Sequence, residues 1–429
     1  MSKRREASRP AALWQRREID ASFFRQSKVM DRMNNTQNAK MRTQFDRWPQ
    51  FSEEQVEAAA EVLRSGAVNY WTGEQGKLFE REYAAYLGTK YAIAVSSGTA
   101  ALELALRALG IGPGDEVITT CRSFIASASC IVTVGAIPVL ADVDRESQNI
   151  TADSIRRKLT SRTKVIIAVH LAGWPCDMDP ILDLAKSNHL AVIEDCAQAH
   201  GARYKGRPVG SMGDINAFSF CQDKIITTAG EGGLVTTNND SLWEKAWAYK
   251  DHGKSFDAVY RRKHPPGFRW LHESFGTNMR MTEVQAAVGR IALRHLDEWV
   301  AKRRQNADFW TEGLKDLKAV RLTLPPDSIY HSYYKYYLFI VPEMLRPGWS
   351  RDRIMCEIND AGVPCSVGSC SEIYRERAFA SSGLACETLP NARELGLTSL
   401  MFQVHPTLSE EDTRYMIGVA RNVIAKATR

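Results

Sequence analysis

The chain has 429 residues, 44% hydrophobic and 25% charged, a composition that supports a packed core and two or three domains and excludes a fibrous or disordered protein. Its formal charge of +6 sits at the start: residues 1–45 carry eleven Lys/Arg against four Asp/Glu, and the remainder carries 45 against 46. The body is therefore neutral and offers nucleic acid no basic surface.

No apolar run reaches the roughly 18 residues that span a bilayer, so no membrane association is expected. The nine cysteines are odd in number and lack a C-x-x-C pair. They read as reduced thiols of a cytoplasmic protein, with neither a disulfide framework nor a metal site. Residues 1–45 are expected to be a basic, flexible extension. Met30, Met33 and Met41 leave open a natural translation start later than Met1, and Glu6, Glu18, Asp20 and Asp31 argue against a presequence.

Ser52, Glu54 and the apolar positions Val56, Ala59, Val62 and Leu63 predict an amphipathic helix. A loop follows at Gly66–Gly73 and a second helix at Lys77–Leu87. Short apolar strands then alternate with helices. The strands are expected at 91–95, 116–120, 137–143, 165–169 and 191–194, and the helices at 98–109, 124–134, 154–159 and 178–187. This alternation predicts an α/β domain with a largely parallel, buried sheet. Strands at 215–220 and 233–237 are joined by a dozen residues without a helical pattern and are expected to run antiparallel. A long helix is expected at 282–304. Beyond it a strand at 333–341 and helices at 351–359 and 410–426 predict a smaller α+β domain. The expected division is a large domain over 46–300 and a small one over 301–429.

Ser96-Ser-Gly-Thr-Ala100 stands between a strand and a helix, where small side chains and free N–H groups suit an anion. The same run is also an ordinary N-cap turn. Asp195 ends the strand Ala191–Glu194, at the edge where α/β sheets bind ligands, although a lone acid there is equally a solvated loop carboxylate. Gln198 and His200 follow it closely. Lys224 follows the strand 215–220 and precedes Thr227-Thr-Ala-Gly-Glu-Gly-Gly233, whose glycines permit close backbone approach. Ser219 lies on the same strand. An amine and an acid in these positions are what a pyridoxal phosphate (PLP) enzyme needs. The amine forms a Schiff base and the acid keeps the pyridine nitrogen protonated.

Five segments resemble, in order and spacing, the DegT/StrS type of sugar aminotransferase. They are Ser97-Gly98-Thr99-Ala-Ala-Leu102, Gly112–Ile118, Glu194-Asp195-Cys-Ala-Gln198, Phe218-Ser-Phe220 through Lys224 to Gly230-Glu-Gly-Gly233, and Gly276–Ala287. The resemblance covers about residues 50–425. It implies the type I aspartate-aminotransferase fold, with a large PLP domain and a smaller C-terminal domain. It further implies that Lys224 carries the cofactor, Asp195 pairs with the pyridine nitrogen and Gln198 meets the ring oxygen. Gly98, Thr99 and Ser219 would hold the phosphate, and Phe124 would stack on the ring. Asn278 would reach the phosphate of a neighbouring subunit, so that a homodimer shares its active sites. Arg280 and His331 would contact the sugar nucleotide.

The implied reaction moves an amino group from L-glutamate to a nucleotide-linked keto sugar, by default a 4-keto-6-deoxyhexose, for a surface polysaccharide or glycan. Trp71, in the loop 70–73, and basic residues over 250–262 are candidates for a nucleotide-sugar pocket, or are simply surface. Ala229 and Cys121 stand where the family tends to have glycine and proline. PLP dehydratases of this family replace the lysine by histidine, so Lys224 favours transamination. A keto-cyclitol aminotransferase, a sugar dehydratase and a non-catalytic regulator are the competing readings.

Overall fold

The computed structural model describes residues 45–384 and 386–429, of which Asp46–Arg429 form one compact unit. The basic extension, including the candidate start methionines, lies outside the described residues except for its last residue.

Strands β1 (Tyr91–Val95), β2 (Glu116–Thr120), β3 (Ile137–Ala141), β4 (Thr163–Val169) and β5 (Ala191–Asp195) form in chain order. Two short strands follow, β6 (Arg203–Tyr204) and β7 (Arg207–Pro208), and then β8 (Ile215–Ser219) and β9 (Gly233–Thr237). The main sheet has the order β1-β9-β8-β5-β4-β2-β3. From β3 to β8 every neighbouring pair is parallel, while β8–β9 and β9–β1 are antiparallel. Val117, Ile118, Val165, Ile166, Ile167, Val192 and Ile193 are buried, as a sheet covered by helices on both faces requires. The fold is the expected type I aspartate-aminotransferase α/β fold. No helix among the described residues is long and apolar enough to cross a membrane.

The helix expected over 282–304 is two helices, Glu283–Arg294 and Leu296–Leu314, separated at His295. The break falls where the packing partner changes. The first packs on the helices Glu53–Ser65 and Gln75–Leu87, and the second on the C-terminal helix Glu410–Ala427. One straight rod could not bury an apolar stripe against both. The helix expected from Phe124 begins at Ala126, which leaves Ser123 and Phe124 in the turn before it.

Strands β10 (Val320–Leu322), β12 (Tyr336–Ile340) and β13 (Ser399–Phe402) make a separate antiparallel sheet in the C-terminal part. The short strand β11 (Ile329–Tyr330) instead pairs with β6, next to β7.

Candidate active site

Parallel strands deliver their carboxyl ends to one edge of the main sheet, and a polar cleft lies there. A cleft of about 820 Å³ is lined by Ser97, Gly98 and Thr99, by Phe124 and Ser127, by Asp195 and Gln198, by Ser219 and Lys224, and by Tyr334, Lys335 and Tyr337. Its size suits a cofactor together with a small substrate.

Register explains how Asp195 arrives there. It is the last residue of β5, paired with Val169 of β4 on one side and Ala217 of β8 on the other. Side chains alternate along a strand, so Asp195 and Glu194 point to opposite faces. Glu194 is buried under the sheet and accepts from the N–H groups of Gly210, Met212 and Gly213. His170 donates to it through Nε2 at 3.0 Å, because His170 Nδ1 accepts from Cys176 N–H. Burial opposes charge on Glu194, yet the His170 and backbone donors hold its pKa below the usual range. Cys196 joins these two within 4.8 Å, but the His170 nitrogens and Glu194 oxygens are already engaged, so the group is a strut.

Asp195 is the opposite case. Ser127 Oγ donates to it at 2.8 Å and Ala197 N–H at 3.1 Å. Its pKa is nevertheless raised, chiefly by burial, although these donors and the charge of Lys224 pull the other way. A desolvated carboxylate without a full counter-charge is matched by a cationic ring nitrogen.

The phosphate end is as well formed. Ser97 caps the helix Gly98–Ala108 by accepting from Ala100 N–H, which leaves the first N–H groups of that helix for an anion. A Cβ on Gly98 would lie 2.4 Å from Ser219 Cβ, and one on Gly233 would lie 2.2 Å from Ser97 O. Glycine at both positions lets β8 and β9 press against this helix start and bring Ser219 alongside it. The residues present therefore fit PLP at both ends, and Phe124, 67% exposed, lies at the cleft between them.

Lys224 lies in the turn after β8, its side chain 15% exposed and its Nζ 3.4 Å from the Tyr334 hydroxyl. It also lies over the Tyr334 ring, 4.7 Å from its centroid. Tyr334 donates in turn to Asp223, which Lys335 approaches at 3.7 Å. Burial pushes the Lys335 pKa down to about 8 despite Asp223. Gln198 accepts from Ala172 N–H at 2.9 Å, so its NH₂ group remains for a ligand.

Other candidates lie elsewhere in this chain. His200 is turned away from the cleft. It accepts from Tyr83 OH and donates to Ser219 O, both at 2.8 Å, and burial lowers its pKa to about 3. His331 does not line the cleft either; it is buried, with its ring stacked on Tyr333 at 3.8 Å. Its Nδ1 accepts from Tyr333 N–H, so in this chain that nitrogen is held in the interior. Arg280 pairs with buried Asp251 at 2.8 Å, and Asn278 is exposed beside it on a bridge to Asp251. Trp71 is half-buried against Trp247 and Tyr260, with Lys254 over its ring at 4.1 Å. The sequence reading missed Ser127, Asp223, Tyr334 and Lys335. Ser127 stands one helical turn after Phe124, a spacing that offers a signal, whereas Tyr334 comes from more than a hundred residues away and offers none.

Residues 49–421 match the DegT/DnrJ/EryC1/StrS aminotransferase family. An aminotransferase of Psychrobacter cryohalolentis, known by X-ray structure, is 54% identical with a TM-score of 0.88, over 89% of this chain and 99% of that one. The structure of Streptomyces venezuelae DesV in complex with a ketimine intermediate is 33% identical with a TM-score of 0.78, over 86% and 94%. The GDP-perosamine synthase of Caulobacter vibrioides is 37% identical over 82% of this chain and 92% of its own length. This chain belongs to the DegT/DnrJ/EryC1/StrS family, which includes named sugar aminotransferases, and it is a pyridoxal-phosphate-dependent aminotransferase.

Proposed function

We propose that this enzyme transfers the amino group of L-glutamate to a keto group of a nucleotide-linked sugar, by default a 4-keto-6-deoxyhexose. The product would be an amino sugar for a surface polysaccharide or glycan. The reading is carried by the meeting of Lys224 and buried Asp195 in one cleft, with a helix N-terminus at its other end. A relative named GDP-perosamine synthase supports a nucleotide-linked sugar as acceptor.

When bound, PLP supplies the electron-withdrawing ring that makes a carbon-bound hydrogen of the substrate acidic and carries the amino group between the two substrates. The chain's residues do the rest. Gly98, Thr99 and Ser219 would anchor the phosphate, Phe124 would stack on the ring, and Gln198 would meet the ring oxygen through its NH₂ group. Asp195 would hold the ring nitrogen charged. Lys224 Nζ would take the proton from the donor's α-carbon and release it on the far side of the transferring nitrogen, two atoms along, and would run the same transfer in reverse for the acceptor. One base serves both halves because it is fixed above the plane in which the atoms react.

The assembly is proposed to be a homodimer that completes its sites across the interface. Asn278 is exposed and outside the cleft of its own chain, which supports its being offered to a neighbour. Arg280 and Trp71, on the same side, are proposed to serve the sugar nucleotide there. A cytoplasmic setting is supported by nine free thiols.

The test is mass spectrometry of products from purified enzyme, L-glutamate and a panel of nucleotide-linked keto sugars. An amino sugar and 2-oxoglutarate are expected from at least one. Lys224→Ala should lower kcat by about 10⁴-fold or more and remove the visible absorbance of the bound cofactor. Wild-type protein that exchanges no amino group with glutamate ends the donor assignment.

A further inference from the structure

Lys224 must do two things with one nitrogen: carry a proton for part of each cycle and present a lone pair for the rest. A lysine on a flexible stem does neither well unless something fixes its head. We propose that Tyr334 is a further catalytic residue, whose hydroxyl oxygen accepts a hydrogen from Lys224 Nζ and, backed by Asp223, holds that nitrogen in line during proton transfer. This rests on Lys224 being the base of the proposed reaction.

The geometry is a chain of three links. Lys224 Nζ donates to Tyr334 Oη at 3.4 Å, Tyr334 O–H donates to Asp223, and Asp223 also lies 3.9 Å from Lys224 Nζ. Tyr334 is held from three sides. Its N–H donates to Ala172 O at 2.8 Å, its carbonyl accepts from buried Arg303 at 3.2 Å, and the residue is 6% exposed. Burial, and then Asp223, raise the phenol's pKa, so Tyr334 keeps its proton and acts by accepting. The proton taken from carbon stays on Lys224 until it returns to carbon.

The charges balance through that cycle. While Lys224 is a neutral base, Lys335 at 3.7 Å is the cation that compensates Asp223. When Lys224 becomes an ammonium, the oxygen of Tyr334 receives one of its hydrogens and Asp223 offers the facing negative charge. The groups that face this nitrogen are therefore Asp223, Tyr334, Lys335 and, across the cleft, Asp195; Arg303 lies behind Tyr334.

Tyr334→Phe in the holoenzyme tests this, because it keeps the ring under the ammonium and deletes only the oxygen. We expect kcat to fall about ten- to a hundredfold, KM for both substrates to stay within about twofold, and the unfolding midpoint to hold. The pH midpoint of the cofactor's visible band should fall, since the protonated nitrogen loses a partner. Asp223→Asn should move kcat and the band in the same directions, and it decides the matter if Tyr334→Phe does not fold. Unchanged kcat with an unchanged band midpoint overturns the proposal. So does a rise in KM alone, which would make Tyr334 a substrate contact. Lys224→Ala distinguishes the premise: turnover surviving in that variant sinks the base assignment itself, whereas a dead Lys224→Ala beside a fully active Tyr334→Phe sinks only the role of Tyr334.

Discussion

Trp48 donates its indole N–H to the main-chain carbonyl of Lys224 at 2.7 Å, across 176 residues of sequence. The ring is fixed by an edge contact with Trp299 and by Arg303 at 5.1 Å from its centroid. Arg303 also donates to the carbonyl of Tyr334, so one buried guanidinium steadies both the backbone of the reactive lysine and the tyrosine at its tip. Trp48→Phe keeps most of the ring and removes the donor. It should cost about 1 kcal/mol of stability and lower kcat by about tenfold through a misplaced Nζ, measured by chemical denaturation and steady-state kinetics.

Asp195 links catalysis to stability with opposite signs. Burial raises its pKa on folding. Between its unfolded and folded values the unfolded chain has released the proton that the folded protein keeps, so stability falls as pH rises through that window. Protein stripped of cofactor should therefore melt at a higher temperature as Asp195→Asn than as wild type at pH 8. The advantage should narrow as pH drops toward about 4. With cofactor and both substrates the same variant should lose about a hundredfold or more in kcat. Calorimetry across pH, paired with kinetics, checks both halves.

Gly98→Ala places a Cβ 2.4 Å from that of Ser219. The helix start and β8 must part, at a cost of about 1–3 kcal/mol, and the phosphate cradle opens with them. Dialysis followed by absorbance should show the variant losing its cofactor faster than wild type.

Ala229 has φ of 59° and is exposed. A left-handed residue with a Cβ costs roughly 1–2 kcal/mol, which Gly's greater unfolded entropy only partly offsets. Ala229→Gly should therefore stabilise by up to about 1 kcal/mol, read as a rise in the denaturation midpoint, with kcat unchanged.

The antiparallel return of β8 to β9 and the parallel run before it were legible because short apolar strands and glycine-rich turns are local signals. Asp195 and Lys224 were legible for the same reason, each following an apolar strand that ends at the ligand edge. Tyr334 and Trp48 were not, because their roles exist only once the segment after β11 and the N-terminal segment fold back over the turn after β8. The break at His295 was hidden too, since the helical pattern runs on through it while the packing partner changes. The burial of His331 against Tyr333 was not legible either, because it is a tertiary fact that spacing does not encode.

Glu194 and Asp195 also carry a consequence for how this protein can vary. Two adjacent acids face opposite sides of β5, one locked by four donors and one exposed to the reaction. A slip of β5 by a single residue would lose one of them: in one direction Glu194 would enter the cleft and Ile193 would meet the Gly210–Gly213 turn, and in the other Asp195 would meet that turn and Cys196 would enter the cleft. Insertions or deletions that shift this strand against β4 and β8 are therefore barred more strictly than any one side chain there. The pairing of three strands, rather than the identity of an acid, is what descent must leave untouched.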